Sequence, residues 1–291
     1  MFNGVYTAAI TPFTADDKID FNALEKLIEA QIKDGITGFV ILGTTAEAPC
    51  LTDNEKVEIV KCAKKAINGR AKFIVGAGLN STTGTLETAK KFLPFGPDAF
   101  LIVTPFYNKP NPSGLIAHYS AVGKLGKPIM LYHIPGRTGL KVPLKVMAEL
   151  IEKVPMLKAI KESDYDVIHL NAQAATISDK VDIICGNDDM LPYFMATNGK
   201  GIVSVLSNFA PKILIDIYNG KNAFKTYAEN LKLMDACFYE TNPTCVKYIM
   251  SRLGLCNENV RLPLGPLSPE TKKKIDAVLA ATDKKYLAGK L

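Results

Sequence analysis

The sequence contains no tryptophan, only three histidines, and no stretch of 18 uncharged apolar residues. A membrane-spanning helix is therefore not expected. Its six cysteines (Cys50, Cys62, Cys185, Cys237, Cys245 and Cys256) are scattered singly, with no C-x-x-C pair. They read as reduced thiols rather than as a disulfide framework or a thiolate metal cluster. The histidines (His118, His133, His169) show neither H-E-x-x-H nor any other paired-ligand spacing, so no metal is expected. Gly76-Ala77-Gly78 follows an apolar run, but Ser81 breaks the dinucleotide fingerprint, and neither a Walker loop nor a serine nucleophile elbow is found. The first residues, Met1-Phe2-Asn3-Gly4-Val5, have no basic stretch and no apolar stretch of signal-peptide type, which points to a cytoplasmic protein. The formal charge of +6 is modest. The basic runs Lys272-Lys273-Lys274 and Lys284-Lys285 sit in a helical pattern without interleaved aromatics, so they read as solvated helix faces and not as a nucleic-acid surface.

Against these absences stand 291 residues, 47% of them hydrophobic, enough to bury about three quarters of the unfolded surface without disulfides or metals. The 21 glycines and 17 prolines follow no period, which excludes collagen-like and low-complexity chains. Eight short runs rich in Val, Ile and Phe predict strands at Val5–Pro12, Gly38–Gly43, Lys72–Ala77, Ala99–Thr104, Pro128–His133, Leu157–Lys161, Val181–Cys185 and Gly201–Leu206. Helical patterns separate them. Asp20 is placed to cap the first, Thr52 and Glu55 to form a capping box, Pro143 to open another, and Ser268-Pro269-Glu270 to start the last. Eight strand–helix units without a hairpin signal predict an α/β fold, a (β/α)8 TIM barrel over residues 1–224, with a C-terminal helical extension over 225–291.

In such a barrel, chemistry gathers at the C-terminal strand ends. Lys161 ends the sixth run, and period-2 alternation places it on the same face as Leu157 and Ala159. An amine held away from water there can serve as a nucleophile toward a carbonyl; a lysine reaching from a strand end to solvent is the plainer alternative. Tyr132 ends the neighbouring run, where a phenol can shuttle protons. Thr44 and Thr45 follow Gly43 in a tight turn whose hydroxyls and N–H groups suit a small carboxylate. Arg137, in Pro-Gly-Arg-Thr-Gly, suits a carboxylate or simply a solvated surface. Asp188 and Asp189 read as acids at a helix start rather than as metal ligands.

The ordered set Gly43-Thr44-Thr45-x-Glu47, Tyr107, Tyr132-x-x-Pro135-x-Arg137-Thr138-Gly139, Lys161-Glu162 and Gly186-x-Asp188 resembles the pyruvate-dependent class I aldolase superfamily. Within it the chain is similar to the dihydrodipicolinate synthase family. The likeness extends to Glu240-x-Asn242-Pro243-x-x-Val246-Lys247 and Arg261-Leu262-Pro263-Leu264 near the C-terminus. The resemblance implies condensation of pyruvate with L-aspartate 4-semialdehyde through a lysine Schiff base on Lys161, in the diaminopimelate route to lysine. No cofactor beyond that covalent imine is implied. Tyr132, Thr44 and Tyr107 match the family's proton relay, with Tyr107 reaching in from a neighbouring subunit of a homotetramer built from tight dimers. Thr45 matches the pyruvate-carboxylate binder, Arg137 the holder of the semialdehyde carboxylate, and the backbone at Gly186 and Val203 positions near bound pyruvate. A sibling aldolase with another aldehyde partner, of sialic-acid or ketodeoxygluconate type, and a non-catalytic keto-acid-binding barrel are the competing readings.

Two departures carry expectations. Ala46 and Ala48 stand where the family more often has Gly and Ser, which should remove turn freedom at 46 and loosen contacts behind the site at 48. Asn80 fits the family's lysine-inhibition site, but Asp53, Lys56, Gly84 and Phe106 replace its usual two histidines, glutamate and tyrosine. The Lys56 ammonium would repel that of a lysine ligand. L-lysine is therefore expected to inhibit weakly or not at all. Inhibition at micromolar to low-millimolar concentrations in an activity titration would contradict this.

Overall fold

The computed structural model describes residues 1–288; residues 289–291, at the end of the expected extension, lie outside the described residues. The strands are β1 (Gly4–Ala8), β2 (Gly38–Ile41), β3 (Lys72–Gly76), β4 (Ala99–Val103), β5 (Ile129–His133), β6 (Leu157–Glu162), β7 (Asp182–Cys185) and β8 (Gly201–Ser204). They form a closed barrel in sequence order, and every recorded pairing is parallel. Helices fill the connections: α1 (Phe21–Lys33), α2 (Asp53–Ile67), α3 (Thr82–Phe92), α4 (Pro112–Gly123), the single turn α5 (Pro135–Thr138), α6 (Leu144–Lys153), α7 (Val167–Thr176), α8 (Leu191–Ala196) and α9 (Pro211–Tyr218). Three more follow: α10 (Ala223–Ala236), α11 (Thr244–Arg252) and α12 (Pro269–Ala281). The expected (β/α)8 barrel with C-terminal helices is thus the observed architecture. The boundary drawn at 224/225 falls inside the first turn of α10.

Local chemistry accounts for the helix starts. Asp20 accepts the Ala23 N–H at 2.9 Å, and Ser268 caps α12 through Thr271. Thr52 and Glu55 exchange side-chain and backbone hydrogen bonds in a capping box. Pro143 is the N-cap residue of α6. Most strands stop short of the expected runs at their C-terminal ends, because the residues beyond the last pairing remain buried. Leu42, for example, is apolar and 4% exposed, yet φ of +58° takes it out of the sheet.

The chain divides into two compact units. One comprises Met1–Gly4 with Phe73–Val203, the other Val5–Lys72 with Ser204–Leu291. In the first, Phe73, Val75, Phe100 and Ile160 are buried on one face of the strands and Met130 and Ile184 on the face that carries Lys161, and Phe92, Tyr119 and Met147 are buried on the helices. In the second, Phe39 and Val40 of the strands are buried, as are Ile28, Val60, Phe209, Ile213, Ile249 and Ile275 of the surrounding segments. Among the described residues no helix is long and apolar enough to cross a membrane.

His118 sits 3% exposed on α4, its Nδ1 3.0 Å from the Thr82 hydroxyl, and burial pulls it down to about 4 from an ordinary 6.5. The folded state therefore refuses a proton that the unfolded chain accepts. Its contribution is fully present above pH 6.5 and declines as pH falls toward 4. The cost reaches about 3 kcal/mol near the bottom of that window. Urea unfolding at pH 7 and pH 4.5 should show His118→Phe losing about 2 kcal/mol less than wild type over that interval; equal losses would remove His118 from this role.

Candidate active site

Parallel pairing of β5 with β6 sets Tyr132 opposite Lys161 and His133 opposite Glu162. Lys161 is 5% exposed, and its Nζ lies 4.2 Å from the centroid of the Tyr132 ring. Among the described residues Lys161 makes no ion pair, so its amine is held by packing and by the aromatic face rather than by a carboxylate. Gly186, just past β7, donates its N–H to the Glu162 carbonyl at 2.7 Å. A Cβ at 186 would lie 2.9 Å from that carbonyl oxygen, 1.9 Å from Ser163 Oγ and 3.1 Å from Lys161 Cε, so only glycine brings this backbone so close to the lysine. Val203, in β8, is fully buried.

On the other face of the same strand pair the fold assembles a group that no spacing in the sequence foretells. His133, Glu162 and His169 present potential ligand atoms within 4.8 Å of one another. The hydrogen bonds show what they do. His133 Nε2 accepts the Val142 N–H at 3.1 Å, so Nδ1 carries the proton and donates to Glu162 at 2.7 Å. Glu162 also accepts from the Gln173 amide and from the Asp164 N–H at 2.8 Å. At 2.7 Å the His133–Glu162 contact is a hydrogen bond, shorter than the roughly 3.3 Å between tetrahedral ligand atoms that each lie about 2 Å from a metal.

Arg137 lies on α5, directly after β5, and is exposed. Tyr107, in the loop after β4, is 88% exposed and holds φ at +71°, a left-handed conformation uncommon for an aromatic residue. The structure thus brings Lys161, Tyr132 and Gly186 together and leaves Arg137 and Tyr107 at the surface of the isolated chain.

In the other unit, Thr44–Ala46 form one tight turn after β2, and Glu47 follows at φ +55°, ψ +34°. Left-handed strain falls on Leu42 and Glu47, and the expected loss of turn freedom at Ala46 does not arise because its φ is not positive. Thr44 is half-buried and Thr45 fully buried. Residues far along the chain fix this turn. Asn242 Nδ2 donates to Thr45 Oγ1 at 3.0 Å. The fully buried Lys247 Nζ pairs with Glu47, donates to the Asn259 carbonyl at 2.8 Å and lies 3.9 Å from the Phe13 ring centroid. Burial pulls the Lys247 ammonium down, with Glu47 opposing. The Arg261 N–H gives Glu47 a further bond at 2.8 Å. The Arg261 guanidinium clasps Glu55 at 2.7 and 2.8 Å and holds that carboxyl down at about 2. Asn242, Lys247 and Arg261 entered the sequence reading only as parts of a family-like phrase; their contacts span about 200 positions and leave no local signal.

A model of the dihydrodipicolinate synthetase family matches residues 1–282. A 4-hydroxy-tetrahydrodipicolinate synthase of Salinibacter ruber is 37% identical over 290 residues, covering 97% of this chain and 96% of its own. The crystal structure of dihydrodipicolinate synthase from Aquifex aeolicus superposes with a TM-score of 0.94 over 100% of both chains, at 31% identity. That from Cyanidioschyzon merolae with lysine bound gives 0.92 at 30% identity, over 96% of this chain and 98% of its own. With the family model spanning nearly its whole length, the chain belongs to the dihydrodipicolinate synthetase family.

Proposed function

We propose that this chain is a 4-hydroxy-tetrahydrodipicolinate synthase, a lyase of class I aldolase type that condenses pyruvate with L-aspartate 4-semialdehyde in the diaminopimelate route to lysine. The observation that carries the reading is the buried, carboxylate-free amine of Lys161 against the Tyr132 ring, in a chain of this family. Lys161 adds to the pyruvate ketone and, with loss of water, forms an iminium ion. That cation withdraws electrons from the neighbouring methyl carbon, which gives up a proton and becomes an enamine. The enamine carbon attacks the aldehyde, forming the new C–C bond, and the carbonyl oxygen takes up a proton. The amine of the semialdehyde then attacks the iminium carbon, closes the ring and releases Lys161. Lysine and substrate carbonyl together supply the electron sink, so the reading needs no cofactor and no metal.

Tyr132, Thr44 and Tyr107 carry protons in this scheme. Thr45 holds the pyruvate carboxylate, the backbone at Gly186 and Val203 borders it, and Arg137 takes the semialdehyde carboxylate. We assign catalysis to the barrel (1–224) and a supporting role to the helical extension (225–291). The exposed, strained Tyr107 supports a homotetramer of tight dimers in which a second copy covers that loop and borrows its phenol. A biosynthetic enzyme drawing on pyruvate belongs in the cytoplasm, and nothing in the scheme involves nucleic acid or membrane.

The deciding experiment is a condensation assay with pyruvate and L-aspartate 4-semialdehyde, paired with borohydride trapping of pyruvate on the protein. Turnover to the heterocycle is expected. Trapping without turnover would transfer the assignment to a sibling aldolase, and neither would leave a keto-acid-binding barrel. Lys161→Ala should abolish the trapped adduct. Arg137→Ala should keep it while losing about 10- to 100-fold in kcat/KM for the semialdehyde, the worth of a charge-assisted hydrogen bond. Equal loss of both activities in Arg137→Ala would contradict the division of roles.

A further inference from the structure

The turn that carries Thr45 is held from both ends by one stretch of the C-terminal region. Asn242 reaches Thr45, and Lys247, five residues on, locks Glu47. None of the roles assigned above uses either residue. The direction of the Asn242 bond is the informative part. A threonine hydroxyl has one hydrogen to give and lone pairs to receive. Asn242 Nδ2 donates to Thr45 Oγ1 at 3.0 Å, with both side chains buried, so the bond occupies a lone pair and leaves the hydrogen unspent. A buried hydroxyl otherwise turns to a nearby carbonyl. Among the described residues the Thr45 hydroxyl donates to no carbonyl, and its hydrogen bond is the one it accepts from Asn242.

We infer that Asn242 is a positioning residue that sets the polarity of the Thr45 hydroxyl, keeping its hydrogen available to a carboxylate ligand. The inference rests on the reading that Thr45 holds the carboxylate of a keto acid. The Glu47–Lys247 pair fixes the backbone of the turn, and Asn242 fixes which way its hydroxyl points. An aspartate at 242 has the same shape and the opposite polarity: its carboxylate takes the Thr45 hydrogen and repels an anionic ligand.

The test titrates pyruvate against borohydride-trapped adduct, read by intact mass, for wild type, Asn242→Ala, Asn242→Asp, Thr45→Val and the Asn242→Ala/Thr45→Val pair. Half-maximal trapping should need about tenfold more pyruvate in Asn242→Ala, the equivalent of one hydrogen bond. Asn242→Asp should be impaired at least as much. The double variant should match Thr45→Val alone, because Asn242 acts only through that hydroxyl. kcat with both substrates saturating should change far less than the pyruvate requirement, a split that general unfolding does not produce. If Asn242→Ala does not fold, the isosteric Asp variant decides. Asn242→Asp trapping pyruvate like wild type, or losses that multiply in the double variant, would overturn the inference alone. Wild-type protein that traps no pyruvate overturns the functional reading, and this inference with it.

Discussion

Lys161 and Glu162 are neighbours in sequence, and the pleat of β6 sends their side chains to opposite faces of the sheet. Were they on one face, the carboxylate would lie beside the Lys161 amine and pair with it. Because they are not, each side chain meets different company. Glu162 is saturated by His133, Gln173 and the Asp164 N–H. Lys161 meets the Tyr132 ring and the glycine backbone after β7. A one-residue slip of β6 would exchange the two faces, placing a carboxylate where Lys161 now sits. The register of β5 against β6 excludes that slip twice, through Tyr132 opposite Lys161 and through His133 opposite Glu162.

The second fixed point is the buried Glu47–Lys247 pair. Desolvating two charges costs several kcal/mol per ion, and apolar replacements of similar volume are often no less stable. Stability therefore does not explain the pair. Geometry does. Glu47 occupies a left-handed conformation without being glycine, and a carboxylate held by Lys247 and the Arg261 N–H keeps it there. Removing one partner alone would leave a bare buried charge and cost about 3–5 kcal/mol. The helices after the barrel strands thus contribute more than cover: α11 fixes the backbone of the turn that follows β2.

Periodicity in the sequence made the eight strands, the helix caps and the parallel barrel legible, since each depends on residues within a turn or two of one another. Strand ends were less so: apolar runs such as Gly38–Gly43 continue past the last pairing into buried loop residues. The residues at strand ends could be named as candidates from position alone. Their neighbours could not. His133, Glu162 and His169 lie 29 and 7 positions apart and meet only because β5 pairs with β6 and α7 packs beside them. Asn242 and Thr45 are separated by 197 residues. Single-sequence reasoning sees periods and motifs, and a contact made by tertiary folding leaves neither.

The two basic side chains proposed to meet the substrates differ in burial. Lys161 is buried and Arg137 exposed, although both belong to the β5–β6 region. A buried amine without a counter-charge is suited to bond formation, since little hydration is stripped when a carbonyl arrives. A guanidinium presents a planar fork of N–H groups that matches a carboxylate, and at an exposed position a carboxylate can approach it from solvent. Reversing the positions would bury a permanent charge without a partner and expose the amine to solvent. The difference in burial is thus consistent with the roles proposed above, covalent capture of the keto acid at Lys161 and docking of the acidic aldehyde at Arg137.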